Sequence, residues 1–339
     1  MRSTHPLVYN TLFLFKLVRE GKITPRKVWN YLKGRFHYWR KDLTLSSHPS
    51  VIVFDITNHC GLKCSICRTD QATIVDYSGK NLHIPLGRMS LATYQKVVDD
   101  AKGYMLLSLM YLSGEPLMNN EVYGMVDHAN TQKVPTLLST SGVPLTEKAG
   151  QRLIDAGLDF LKIAVTGFTQ EVYGIEHKGG DIELVKKNIQ RMVAMKKAAG
   201  SRMLILVDYI IYKHNEHELD TFKAFCEDLG IPMNLRAGRV NDLEGLLPSQ
   251  ERKIEPESSL CDWLWTVMTV EWDGRVFPCC EYGFWGDPYL FGEAGGEASV
   301  LEVWNSPDAQ KYRSVHVNQG REGYDRCRGC HYKGIRFQG

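Results

Sequence analysis

Three cysteines stand within eight residues, at Cys60, Cys64 and Cys67, in the run NHCGLKCSIC. Thiolates are soft ligands, and three so closely spaced can cap three corners of a four-iron, four-sulfur cube. The fourth iron then lacks a protein ligand. A structural zinc site wants four closed protein ligands instead. A cube with one open iron can take a substrate or cofactor there, which makes it a reagent rather than a staple. Five more cysteines come late, at Cys261, Cys279, Cys280, Cys327 and Cys330. Cys226 is alone in TFKAFCEDLG, on the apolar face of an expected helix, and reads as a small buried hydrophobe. An odd, clustered set of nine cysteines in 339 residues is not a disulfide scaffold. In a reducing compartment it reads as metal ligands or redox groups.

Such a reagent needs a rigid frame. VIVFDIT reads as a buried strand that ends just before Cys60. Helix is expected at 91–102 with Ser90 as N-cap, strand at 105–112, helix near 120–131 and strand at 134–140. A helix ending at Gly157, a strand at 159–165 and a long helix at 182–199 follow. RMLILVDYIIY, a helix over 215–229 closing on Gly230, and PMNLRA complete the series. Strand and helix alternate about six times, which means parallel strands with helices outside. The pattern suits an α/β fold of the partial (β/α)6 TIM-like barrel kind over residues 49–236, with its site at the strand C-termini. An open doubly wound sheet has the same signature. Residues 237–258 are polar and turn-rich and read as a connector. Residues 259–339 read as a small C-terminal β-hairpin and helix domain. WTVMTVEWDGRVFPCC turns at Asp273-Gly274, and a helix is expected around SVLEVWNSPDAQKYRSV. No internal repeat is present.

The chain carries 41 Lys/Arg against 39 Asp/Glu and is 43% apolar, which excludes wholesale disorder and allows a sizeable core. No apolar run approaches the ~20 residues of a spanning helix. The start lacks the ordered parts of a secretory signal, so a cytoplasmic setting is the default expectation. Residues 1–48 form a separate arm. Its first 42 residues hold ten Lys/Arg against Glu20 and Asp42, interleaved with apolar and aromatic residues. Thr24-Pro25 reads as an N-cap and first helical position, and two amphipathic helices are expected. A basic arm with Trp and Phe can lie on an anionic membrane surface, peripheral to the inner face. The plainer reading is an arm packed on its own catalytic domain with its lysines in water.

The first cluster resembles the signature of the radical S-adenosylmethionine (radical SAM) family, including an apolar residue, Ile66, before the third cysteine. The resemblance covers about residues 50–333. It implies that the open iron binds the amino and carboxylate groups of S-adenosylmethionine (SAM). One electron, from a donor such as flavodoxin or ferredoxin, then cleaves the sulfonium bond, and a 5′-deoxyadenosyl radical removes a hydrogen atom from the substrate. Ser113-Gly114-Glu115-Pro116 is similar to the family's Gly-Gly-Glu-Pro-like turn for the SAM ammonium, with Ser113 in place of the first glycine. Thr140 and Ser141 sit where relatives often carry Thr-Asn-Gly near the ribose. Ala164 and Thr166 stand where relatives often have Ser and Asp, so no polar SAM contact is carried to them.

The late cysteines resemble an auxiliary cluster domain of the SPASM kind in its shortened form, called Twitch. The resemblance implies that Cys261, Cys279, Cys327 and Cys330 hold a second [4Fe-4S] cluster. A zinc ribbon also uses four cysteines, and that reading stays open. Cys280 either packs or serves as a candidate hydrogen-atom donor. His59 reads as a packing neighbour of Cys60. Trp263, Trp265, Trp272 and Trp304 read as core of the small domain, and Trp285 as a candidate pocket residue.

A four-ligand auxiliary cluster would pass electrons rather than bind substrate. That suits dehydrogenation or epimerisation of a polar small molecule: a sugar, nucleoside or lipid-linked saccharide. The residues before the barrel are too few for a separate peptide-binding domain, which weighs the same way. The alternatives are radical modification of a peptide or protein, or carbon–carbon bond formation on a nucleoside or lipid. A non-enzymatic metal protein binding nucleic acid through residues 1–42 is the remaining class, but no nucleic-acid module accompanies that arm.

Overall fold

The computed structural model describes residues 6–64, 67–70, 73–75, 81–237, 260–280, 289–324, 327 and 330. Two helices, α1 (Pro6–Arg19) and α2 (Pro25–Arg40), lead into β1 (Val51–Phe54). Three short strands follow, β2 (Arg68–Asp70), β3 (Thr73–Val75) and β4 (Asn81–His83). The alternating part comprises α3 (Leu91–Ala101), β5 (Leu107–Met110), α4 (Val122–Thr131), β6 (Thr136–Thr140), α5 (Glu147–Asp155) and β7 (Phe160–Val165). It continues with α6 (Gln170–Glu176), α7 (Ile182–Ala198), β8 (Leu204–Ile211), α8 (Leu219–Leu229) and β9 (Met233–Ala237). The C-terminal part holds α9 (Trp263–Thr266), β10 (Val267–Val270), β11 (Arg275–Phe277), β12 (Gly292–Glu293), α10 (Val300–Trp304) and α11 (Pro307–Gln319).

One nine-stranded sheet runs in the order β12-β11-β10-β1-β5-β6-β7-β8-β9. From β1 through β5 to β9 every neighbouring pair is parallel. The end strands β9 and β12 do not pair with each other, so the barrel is partial and unclosed. Side chains alternate as a strand requires: Leu161, Ile163 and Val165 of β7 join the core under the helices. Phe160 faces the other way. Helix limits follow local chemistry. Ser90, Thr146 and Asp181 side chains accept N-cap hydrogen bonds, and Gly157 and Gly230 take the left-handed conformation just past α5 and α8.

Several elements differ from the sequence reading. The strands β2–β4 and the helix α6 had no sequence signal strong enough to name. Each of β2–β4 has only three residues, too few to show a period. The helix expected around 299–315 is two helices, because Ser306 caps a fresh start with Pro307 at its first position. The C-terminal hairpin does not stand apart: β10 pairs parallel with β1, Val51 opposite Val267. The connector expected at 237–258 and Trp285 lie, but for Ala237, outside the described residues.

The arm closes the N-terminal end of the barrel. Phe13 and Leu17 of α1 pack on Phe160, with the two phenyl rings 5.3 Å apart. Lys22 Nζ donates to both oxygens of buried Asp159, at 2.7 and 2.6 Å, just before β7. The Thr24 side chain caps α2 as the sequence indicates. Arg35 pairs with Asp262 at 2.5 Å, and Tyr38 meets Trp265 edge-on at 5.5 Å.

Candidate active site

The three early cysteines follow β1 at its C-terminal end, the end where parallel barrels place their sites. All three are partly buried and none is in a disulfide. The Cys67 backbone N–H donates to the Cys64 carbonyl at 2.9 Å. Ile66 lies outside the described residues. The turn after β5 is knitted to this loop. Asp55 accepts from the Ser113 backbone at 3.1 Å and from the Ser113 hydroxyl at 2.6 Å. Glu115 N–H donates to the His59 carbonyl at 2.8 Å. A Cβ on Gly114 would come within 2.6 Å of the His59 carbonyl and closer still to that of Thr57. Only glycine lets the two segments approach this closely.

Glu115 is 4% exposed. One carboxylate oxygen accepts from the Ser141 N–H and hydroxyl at 2.8 and 2.7 Å, the other from Leu117 N–H at 3.3 Å. Burial raises its pKa, while hydrogen bonds from Ser141 and Thr140 pull it back. Among the described residues no lysine or arginine forms an ion pair with it. A buried acid with donors but no cation suits the ammonium group of SAM. Pro116 opens a single 3-10 turn, and Thr140 ends β6, its hydroxyl accepting from Gly142 N–H at 3.1 Å.

Two further hydroxyls lie at this end: Tyr173, which the sequence did not single out, and Thr166, to which no SAM contact was carried. The buried Tyr173 hydroxyl on α6 has no hydrogen-bond partner among the described residues. Burial raises its pKa, and Cys64, Glu115, Asp181 and Cys60 raise it further. A Cβ on Gly180 would meet both this hydroxyl at 2.8 Å and Leu62 of the cysteine loop at 3.1 Å, so the ring borders that loop. The same loop is tied down by Lys63 N–H to the Lys178 carbonyl at 3.0 Å. The Thr166 hydroxyl, just past β7, is also buried and unpartnered among the described residues.

A second polar set crosses the sheet. Lys162 of β7 donates to the Tyr111 hydroxyl at 3.3 Å and lies 3.5 Å from Asp208 of β8. Arg236 of β9 reaches the same carboxylate at 3.2 Å, and Asn234 donates to its other oxygen at 2.7 Å. Burial works against the Lys162 ammonium, yet Tyr111 and Asp208 hold its pKa above the ordinary lysine value. Burial likewise opposes the Asp208 carboxylate, and Lys162 and Arg236 outweigh it, so its pKa is lowered. The Arg236 side chain remains 51% exposed.

The late cysteines gather around β10 and α11. Cys261, Cys279 and Cys280 pack beside Val53, Leu107 and Leu109 of β1 and β5. Cys279 and Cys327 also touch the main core. The Tyr312 hydroxyl lies 3.8 Å from Cys327 Sγ, and Arg321 donates to the Cys330 carbonyl at 3.3 Å. Burial pushes the Cys261 thiol up to about 12, against the pull of Arg321. Trp263, Trp265 and Trp304 are buried, as the sequence indicates. Among the described residues no three His, Cys, Asp or Glu side chains gather around one ion-sized point. One thiolate per corner of a cube does not require them to.

The fold and site thus define an open α/β barrel with thiols at its mouth and a cysteine-bearing C-terminal part. Residues 54–226 match the family model of the radical SAM superfamily, and residues 261–331 match SPASM, an iron-sulfur cluster-binding domain. The chain belongs to the radical SAM superfamily. Its cofactors are accordingly a [4Fe-4S] cluster, SAM and an auxiliary iron-sulfur cluster. It is similar to mycofactocin maturase MftC of Mycobacterium ulcerans (strain Agy99), 23% identical over 221 residues, 64% of this chain and 55% of that protein. It is also similar to the PqqA peptide cyclase of Gluconobacter oxydans (strain 621H), 24% identical over 267 residues, 73% of this chain and 68% of that one. The chain thus spans little more than half the length of the first of these relatives. Streptococcus suis SuiB bound to S-adenosylmethionine shares the fold, with TM-score 0.63 and 15% identity over 83% of this chain and 72% of that one. BtrN in complex with AdoMet and 2-DOIA does so at TM-score 0.52 and 17% identity, over 85% of this chain and 97% of that one.

Proposed function

We propose that this radical SAM enzyme modifies a peptide or protein segment. The observation behind the choice is the likeness to the PqqA peptide cyclase, which extends over 73% of this chain. It outweighs the expectation of a small polar substrate, which rested on electron bookkeeping and on the shortness of the arm. In this reading Cys60, Cys64 and Cys67 hold the first cluster, and Cys261, Cys279, Cys327 and Cys330 hold the auxiliary one. Bound together, the first cluster and SAM supply a strong hydrogen-abstracting reagent. The chain's own residues do the rest. Gly114 lets the turn lie against the cysteine loop, Glu115 receives the SAM ammonium, and Ser141 fixes the Glu115 carboxylate. Tyr173 covers the loop and helps exclude water. Lys162, Asp208 and the exposed Arg236 offer a mixed-charge seat for a polar substrate. Electrons come from an external donor such as flavodoxin or ferredoxin.

The test uses anaerobically reconstituted full-length enzyme, SAM and a reductant, with extracts of cells grown on deuterated nutrients. Deuterium in 5′-deoxyadenosine is expected from the peptide and protein fraction, and prior protease treatment of that fraction should abolish it. Label arising only from the protease-resistant small-molecule fraction overturns the proposal. It would favour a second reading, dehydrogenation or epimerisation of a small molecule. That reading is supported by the near-complete coverage of BtrN, 97% of its chain. Cys280 belongs to it as a hydrogen-atom donor.

A further inference from the structure

Helix α2 is built inside out. The side packed on the barrel carries Lys27, Asn30 and Gly34, all buried. Trp29, Leu32, Phe36 and Trp39 are exposed, Trp39 by 76% and Trp29 by 65%. Their spacing of three, four and three places them on one stripe of the helix. The buried polar groups are satisfied. Asn30 donates to the His48 carbonyl at 3.0 Å and accepts from His48 N–H at 2.9 Å. Lys27 Nζ donates to the carbonyls of Lys22 and Lys133 at 3.0 and 2.7 Å. Turning the aromatic stripe inward would strand these groups, so its exposure belongs to the fold. Helix α1 adds Leu14, Phe15 and Val18, with Phe15 66% exposed, while its Phe13 and Leu17 face the barrel. Apolar faces of this extent on a chain surface mark a partner.

Charge selects the partner. Arg19, Arg40 and Lys41 are exposed on the same segment. The acids of this segment are engaged: Glu20 with Lys16 at 3.5 Å, Asp42 with His37 at 2.8 Å and with Arg40 at 3.4 Å. Arg40 lies over the Phe36 ring, 5.7 Å from its centroid. Tryptophan and phenylalanine among arginines and lysines is the chemistry of a bilayer interface, with rings at headgroup level and cations among phosphates. No described helix is long and apolar enough to cross a membrane.

We infer that α1 and α2 form a platform that lies on an anionic lipid bilayer. The orientation follows from the contacts. α2 meets Tyr104, Lys133 and Trp265, which precede β5, β6 and β10, and the Lys22 anchor Asp159 precedes β7. These strands are parallel, so the platform sits at one end of the barrel and the cysteine mouth at the other. The mouth faces water, and a substrate reaches it from the aqueous side.

Flotation of the full-length protein tests this, with vesicles of phosphatidylglycerol and phosphatidylcholine against phosphatidylcholine alone. Binding is expected to the anionic vesicles only and to weaken with salt. The W29A/W39A variant should lose at least about tenfold in partitioning, and R19Q/K41Q about 25-fold, at about fivefold per cation. Both variants should keep parental SAM cleavage and circular dichroism, since none of these side chains touches the site. Absence of flotation, or flotation unchanged by both variants, overturns the inference. So does a lipid-free dimer that W29A/W39A dissociates while vesicle binding is nil, because a second copy then covers the face.

Discussion

Replacing Gly114 by alanine tests the coupling between the cysteine loop and the turn proposed to receive SAM. The added methyl would lie 2.6 Å from the His59 carbonyl oxygen, where ordinary contact begins at 3.4 Å. His59 O would have to retreat by about 0.8 Å, and Thr57 O further, so the two segments separate by roughly 1 Å. Neither neighbour is a flexible side-chain tip. Both are backbone atoms of the segment that leads into Cys60, and moving them strains the bond from Glu115 N–H to His59 O. Overpacking of this kind costs about 1–3 kcal/mol of stability. A misplacement of about 1 Å between reacting groups lowers a rate about 100-fold. The assay is 5′-deoxyadenosine formation from SAM and dithionite by reconstituted protein, with iron content measured in parallel. The expected outcome is near-parental iron, because all three thiols remain, with cleavage reduced about 100-fold. Parental cleavage and an unchanged KM for SAM would refute the close-approach argument.

Other consequences are open to measurement. Asp159→Ala removes the partner of Lys22, whose side chain is 2% exposed, and leaves a buried charge unpaired. Urea denaturation should show a loss of about 3–5 kcal/mol, and a loss below about 1 kcal/mol would contradict the pairing. Burial and the neighbouring Asp55 lift Glu271 from 4.5 to about 9. The folded state therefore holds this proton more tightly than the unfolded chain. Its stabilisation is complete below the unfolded pKa and is lost as pH rises toward 9. Glu271→Gln should gain in Tm over the parent on moving from pH 5 to pH 8, and parallel Tm profiles would negate it. Cys60→Ala should abolish SAM cleavage and remove about half the iron, whereas Cys261→Ala should remove the other half with the SAM-site electron-paramagnetic-resonance signal kept. Loss of zinc rather than iron from the second variant would support a zinc ribbon.

What could be read from the chain in advance was local. Ser90, Thr146 and Asp181 announce helices because a cap is a bond to a residue two or three positions on. Strand and helix alternate at periods that a single segment displays. The polar set of Lys162, Asp208 and Arg236 is different. Each lies on its own strand, and only the register that puts Ala164 opposite Asp208 and Asp208 opposite Asn234 brings them together. Tyr173 is invisible for the same reason, since its neighbours Cys60 and Glu115 are far away along the chain. The arm was legible as two amphipathic helices, but not which side of α2 packs. The general rule that an apolar stripe faces inward does not hold for α2, whose Trp29, Leu32, Phe36 and Trp39 are exposed. Here satisfied hydrogen bonds to Asn30 and Lys27 decide the buried face.

The same long-range pairing gives the C-terminal part a direct connection to the site. Because β10 lies beside β1, Asp55 N–H donates to the Val270 carbonyl at 2.9 Å. Glu271 then comes next to Asp55, close enough for the two carboxylates to repel. Asp55 in turn holds Ser113 by two hydrogen bonds, and Ser113 opens the turn that carries Gly114 and Glu115. A neutral Glu271 leaves Asp55 without that neighbouring charge while Asp55 holds both donors from Ser113. An ionised Glu271 opposes that charge and loosens the turn, unless Arg275 at 2.7 Å neutralises it. Such a path would link the strand that leads to Cys279 with the turn at Gly114 and Glu115 through two carboxylates, without passing through either cluster. Glu271→Gln gives a second readout of this path. If the path operates, the KM for SAM in the variant stays flat at alkaline pH while that of the parent rises, and a parental KM profile in the variant would break it.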